Sequence, residues 1–149
     1  MAIEYVLYVE GSVDASLLDV LSDEIGMKRP DTSTGSLALY GSFSSIIVSG
    51  EDEAAADPAL GWKPSYSFVF RLDKEHLREA EGQLVQAVSA IAVNVAGPLA
   101  LLFNWENLVA WRRTSVELVL DRNFGVWTPE LVRQFAVPVV WGAWRSAGG

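Results

Sequence analysis

"YSFVFRLDKEHLREAEGQLVQAV", residues 66–88, decides the fold. Its first seven residues are rich in aromatic and β-branched side chains and alternate in polarity, which is the pattern of a strand. Asp73 then stands where a helix N-cap belongs, and Glu75 falls in the first turn, where the helix dipole favours a negative charge. Leu77, Leu84, Val88, Ile91 and Val95 recur at helical spacing, and Gly97-Pro98 ends the run. A strand therefore passes directly into a long amphipathic helix. The crowd of charges at 73–76, with the single histidine His76, reads as the cap and first turn of that helix. A lone histidine needs partners before it can do chemistry.

On the N-terminal side, "IEYVLYVEG" alternates in polarity and predicts a half-buried strand ending at Gly11. "SVDASLLDVLSDEIG" has helical spacing: Leu17, Leu21 and Ile25 share a face, Ser12 or Asp14 can cap the start, and Gly26 can stop the end. "MKRPDTSTG" is a loop by composition. "SLALYGSFSSIIVSG" predicts two short strands around Gly41-Ser42, a Gly-X pair suited to a two-residue type II′ turn. "EDEAAADPALGWKPS" follows as a long exposed loop, a kind of segment that is often functional.

On the C-terminal side, "LALLFNWENLVAWRR" reads as a hairpin turning near Trp105-Glu106, with Arg112-Arg113 marking a turn rather than a nucleic-acid patch. "SVELVLDRN" is a further strand. "TPELVRQFA" is a short helix with Thr128 as cap and Pro129 in its first position, and Pro138 limits the tail. The order β-α-β-β-β-α-β-β-β-α predicts one α+β domain over residues 1–149. Its antiparallel sheet carries two main helices and a short C-terminal helix.

Composition narrows the chemistry. Half of the residues are hydrophobic and a fifth charged, which suits a compact domain rather than a disordered chain. No cysteine is present, so disulfides, thiolate metal sites and cysteine nucleophiles are excluded. One histidine gives little basis for a metal centre. No phosphate-binding glycine pattern, nucleophile elbow or calcium loop occurs, and no cofactor or catalytic residue is expected. The start lacks the basic and apolar regions of a signal peptide, and the longest apolar run is too short to span a bilayer. A cytoplasmic protein without a membrane partner is expected.

The formal net charge is −8. Residues 1–60 hold eleven acids against Lys28 and Arg29, a net of −9, whereas residues 61–149 hold eight acids against nine bases, a net of +1. Such an acidic half repels nucleic acid and attracts a basic partner. The six tryptophans add a second signal, because tryptophan is favoured in interface hot spots. Trp62 is the one placed in the acidic loop, where burial is least assured.

"MAIEY", "YSFVFRLDKE", "LLFNWENLVAWRR" and "VELVLDRNFGVW", in this order, resemble the SitI-type family of bacterial immunity proteins, which protect cells against swarming-inhibition toxins. "NWEN" departs from the small glycine-containing turn expected in that hairpin, and the tryptophan-rich tail is a further departure. The resemblance implies a small, non-enzymatic, cytoplasmic protein that binds one cognate toxin domain and blocks it. It fixes no contact residues. The loop argument alone nominates Glu51, Asp52, Glu53, Asp57 and Trp62, facing a basic toxin. The alternative is a small-molecule-binding or enzymatic domain whose cleft lies near the start of the second helix, with Arg71, Asp73, His76 and Glu106 converging there. A third expectation is a homo-oligomer joined through exposed tryptophans.

Overall fold

The computed structural model describes residues 3–10, 15–26, 37–50, 62, 64–113 and 117–142. Eight strands form one sheet in the order β2-β3-β4-β1-β5-β6-β7-β8. They are β1 (Ile3–Val9), β2 (Leu37–Tyr40), β3 (Ser44–Gly50), β4 (Tyr66–Leu72), β5 (Leu99–Phe103), β6 (Asn107–Arg112), β7 (Leu118–Asp121) and β8 (Val139–Gly142). Three α-helices accompany them among the described residues: α1 (Ala15–Ile25), α2 (Leu77–Asn94) and α3 (Pro129–Val132). The architecture is α+β, and all strand pairs are antiparallel except β7 with β8.

One face of the sheet builds the main core. Tyr5, Leu7 and Val9 of β1 alternate towards it, joined by Phe68, Phe70 and Leu72 of β4 and by Leu99 and Leu101 of β5. Leu17 and Leu21 of α1 and Leu84, Val88 and Ile91 of α2 close over them. Fully burying a side chain such as Phe68 or Leu84 stabilises the fold by roughly 1.5–3 kcal/mol. The helix spacing predicted for residues 84, 88 and 91 is thus the buried stripe of α2, and Val95 is buried as its C-cap.

The strand-to-helix junction forms as its chemistry predicts. Asp73 Oδ1 accepts from the Glu75 amide at 2.9 Å, capping a 3-10 turn (Lys74–His76) that runs into α2. Gly26 ends α1 with φ of 73°, the left-handed stop that glycine adopts at little cost. Thr128 caps α3 by accepting from the Leu131 amide at 3.2 Å.

Two local expectations are corrected. A two-residue turn at Gly41-Ser42 would pair Tyr40 with Phe43, but Tyr40 pairs with Ser45. The Gly41 amide donates to the Ser44 carbonyl at 2.8 Å, so the turn is shifted to Ser42-Phe43. This register sets buried Leu39 opposite buried Ile46, whereas the expected one would set Leu39 opposite Ser44. Core burial selects the register. The tail after Pro138 also contains β8, which pairs parallel with β7 after the α3 crossover. A parallel partner arrives through a distant connection, so local alternation gives little sign of it.

The far end of α2 is held by Arg112, which is 5% exposed. Its guanidinium donates to the carbonyls of Ala92 (2.8 Å), Val95 and Gly97 (2.9 Å). A cation there also faces the negative end of the helix dipole. Arg112 is thus a buried C-terminal cap of α2 rather than a surface turn residue.

Candidate functional site

The described helices cover one face of the sheet, and the other face carries a different set of side chains. Across this second face the register runs Ile47–Val69–Val6–Leu102–Leu108, from β3 to β6. A parallel row runs Tyr8–Ala100–Trp111–Val119–Val140, from β1 to β8. Val6, Ala100 and Leu102 are buried there, with Tyr8, Val69, Leu108 and Trp62 packed against them. Ile47 and Val140 remain exposed. The face is apolar along these rows, although no helix among the described residues lies on it.

One end of this face is polar. Glu4, next in register to Arg71 and Ser45, accepts from Arg71 Nε at 2.8 Å through Oε2. Its other oxygen, Oε1, accepts from the indole Nε1 of Trp105 at 3.3 Å. The Arg71 hydrogen bond holds the Glu4 carboxyl below its ordinary value, with a smaller contribution from Trp105.

Trp105 owes its position to the β5–β6 turn. Asn104 and Trp105 both have positive φ, 49° and 68°, and the Glu106 amide closes the turn on the Phe103 carbonyl at 3.1 Å. Hairpin turns with two positive-φ residues favour Asn-Gly, and here the second position is tryptophan. A bulky residue in that conformation costs on the order of 1–3 kcal/mol. The indole is also 48% exposed, so core packing does not offset that cost.

The residues nominated from sequence are distributed unevenly. Glu51, Asp52, Glu53 and Asp57 lie outside the described residues. Trp62 is half-buried and rests on the open face against its apolar cluster. The acidic segment begins after Gly50, which pairs with Tyr66 at the end of the sheet opposite Glu4 and Trp105. Trp62 therefore belongs to the same face as Trp105. Neither Trp105 nor Glu4 stands out as a site residue in the sequence. The missing glycine in "NWEN" was the available sign for the first, and shared parity with Val6 and Tyr8 for the second.

The four residues nominated for a ligand cleft separate into different settings. Arg71 pairs with Glu4, while Asp73 Oδ2 lies 3.0 Å from His76 Nδ1. The Asp73 hydrogen bond raises the His76 pKa, and the His76 hydrogen bond lowers that of Asp73. Glu106 is exposed in the β5–β6 turn. A groove of about 510 Å³ does lie near the start of α2, between it and α3, but it is lined by Arg78, Glu81, Glu130 and Arg133 and by none of the four nominated residues. Burial pushes the Glu81 carboxyl up. Among the described residues no group of three acidic or histidine side chains is placed to hold a metal ion. No helix among them is long and apolar enough to cross a membrane.

Fold and site define a two-layer α+β protein with an apolar open sheet face bounded by acidic and aromatic side chains. The SitI3-like family model matches residues 3–131, from the first strand into α3. The chain belongs to the SitI3-like family, consistent with the SitI-type immunity proteins that the sequence resembles. That membership suggests an immunity role, with a protein toxin as the general kind of partner. No curated protein and no solved structure matches the chain.

Proposed function

We propose that this chain is a non-enzymatic, cytoplasmic immunity protein that binds and neutralises a cognate bacterial toxin domain. Membership of the SitI3-like family over residues 3–131 is the observation that carries the reading. The charge distribution supports a basic toxin: residues 1–60 carry a net of −9, from eleven acids and two bases. Complementary charge speeds encounter and suppresses wrong partners. Glu51, Asp52, Glu53 and Asp57 supply the acidic contacts in this reading, and Trp62 an aromatic one. The small-molecule alternative has weaker support, because Arg71, Asp73, His76 and Glu106 do not line the α2–α3 groove.

Co-expression with individual toxin domains from the producing strain tests the proposal. Rescue of growth by the wild-type chain, 1:1 binding of that toxin by the purified protein, and weakened binding by the Glu51→Lys/Asp52→Lys/Glu53→Lys variant are expected. Binding should also weaken as salt rises from about 50 to 300 mM, since screening shortens the reach of surface charge. Growth rescue by no toxin domain would overturn the reading.

A further inference from the structure

We propose that the β5–β6 turn at Trp105 is a second contact point for the toxin domain, built to receive an arginine or lysine side chain. The proposal rests on the immunity reading and assigns part of the surface that would perform it.

Two independent observations converge on this turn. Trp105 occupies a left-handed position, φ 68°, yet its side chain is 48% exposed. Glycine would fill that position without steric conflict, so the gain from tryptophan in the free protein rests on the indole bond to Glu4. The surroundings supply the second observation. Glu4 holds the indole Nε1, fixing the ring at the border of the open face, and Glu106 is the next residue. An exposed indole face is a favourable seat for a cation, which gains from the ring quadrupole, while Glu4, already paired with Arg71, holds the ring in place.

The position also fits a larger contact surface. The row through Ile47, Val69, Val6, Leu102 and Leu108 lies beside the Glu4–Arg71 row. Trp62 packs over that apolar area. From Glu4 to Val9, where β1 meets Tyr66, five residue steps span about 17 Å. A partner seated on Trp105 would therefore also reach the apolar strip on which Trp62 rests. The chain holds 19 acids against 11 bases, so a basic partner surface is the occupant that its charge selects.

The test uses the full chain and the toxin domain it neutralises in co-expression. Trp105→Gly should weaken the Kd by about thirtyfold or more, the range of an interface hot spot. In the same variant the Tm should hold or rise by about 2–4 °C as the backbone strain is relieved. Trp105→Phe should retain most of the affinity and Trp105→Leu should not, because only an aromatic face attracts a cation. Double-mutant cycles should couple Trp105 to one toxin arginine or lysine. Toxin bound equally by Trp105→Gly would overturn this proposal while leaving the immunity reading intact. Equal affinity of Trp105→Leu would replace the cation by an apolar contact, and a Tm loss of several degrees in Trp105→Gly would make the residue structural. Failure of the wild-type chain to neutralise any toxin would remove both readings.

Discussion

The indole Nε1 of Trp127 donates to the carbonyl of Val109 at 2.9 Å. Val109 is the extra residue of a β-bulge: Leu101 pairs with Ala110 and Leu102 with Leu108, leaving Val109 between them. A bulge leaves ladder groups unpaired, and here a buried side chain from the α3 approach satisfies one of them. The bulge also changes which β6 residues face the core, so that Val109 and Ala110 are both buried beside it. Trp127→Phe keeps most of the ring volume but removes the donor. We expect a loss of about 1–3 kcal/mol in urea unfolding, because the carbonyl would stay buried without a partner. A change below about 0.5 kcal/mol would show that water replaces the indole.

Arg112 gives a second prediction. Three backbone carbonyls at the end of α2 depend on one guanidinium, itself 5% exposed. Burial lowers its pKa, but from so high a value that the group stays charged at neutral pH. Arg112→Lys retains the charge and loses the planar fork, so the ammonium cannot reach all three acceptors in the same geometry. Unfolding should be easier by roughly 3 kcal/mol, and amide exchange should accelerate first in the last turn of α2. Exchange that stays slow in that turn would sink the capping role.

Much of this architecture is legible in the sequence because it depends on local chemistry. Asp73, Gly26 and Thr128 announce helix ends through their own side chains or backbone, and the buried stripe of α2 follows its spacing. What local reading misses is relational. Arg112 looks like half of an exposed basic pair until β6 is placed beside the end of α2. Trp62 looks like a loop residue until a second, apolar face exists for it to rest on. The strand order puts β1 between β4 and β5, and only that placement makes Glu4, Arg71 and Trp105 neighbours. Alternation specifies that a strand has two faces but not which of them the helices will cover.

The single histidine makes one pH prediction simple to check. His76 should titrate above its ordinary value of 6.5, since the hydrogen bond to Asp73 stabilises the imidazolium. Asp73 is shifted the other way, below 3.8. The sign follows for each group. The His76 contribution to stability is complete below pH 6.5 and is lost as pH rises through the higher folded value. The Asp73 contribution is present above pH 3.8 and is lost as pH falls through the lower folded value. Both contributions therefore coincide between these two ordinary values. The imidazole NMR signal needs no assignment, because the chain has only one histidine. Asp73→Asn should bring its midpoint down, and an unchanged midpoint would break the link.

Gly97 joins two parts of the structure that Arg112 alone does not explain. A Cβ at this position would lie 2.6 Å from the Glu10 carbonyl oxygen, a backbone atom with little freedom to retreat. The same segment is tied to β1 by the Glu10 amide, which donates to the Pro98 carbonyl at 3.3 Å. Gly97→Ala must therefore push the α2–β5 connection away from β1, at about 1–3 kcal/mol. That movement also carries off the Gly97 carbonyl, which accepts from two nitrogens of Arg112. The two substitutions should then fail to add. In a double-mutant cycle, Gly97→Ala should cost at least 0.5 kcal/mol less in the Arg112→Lys background than in the wild type, because part of what it disrupts is already gone. Full additivity would mean that the connection moves without disturbing the guanidinium, and the clash with Glu10 would be the whole effect.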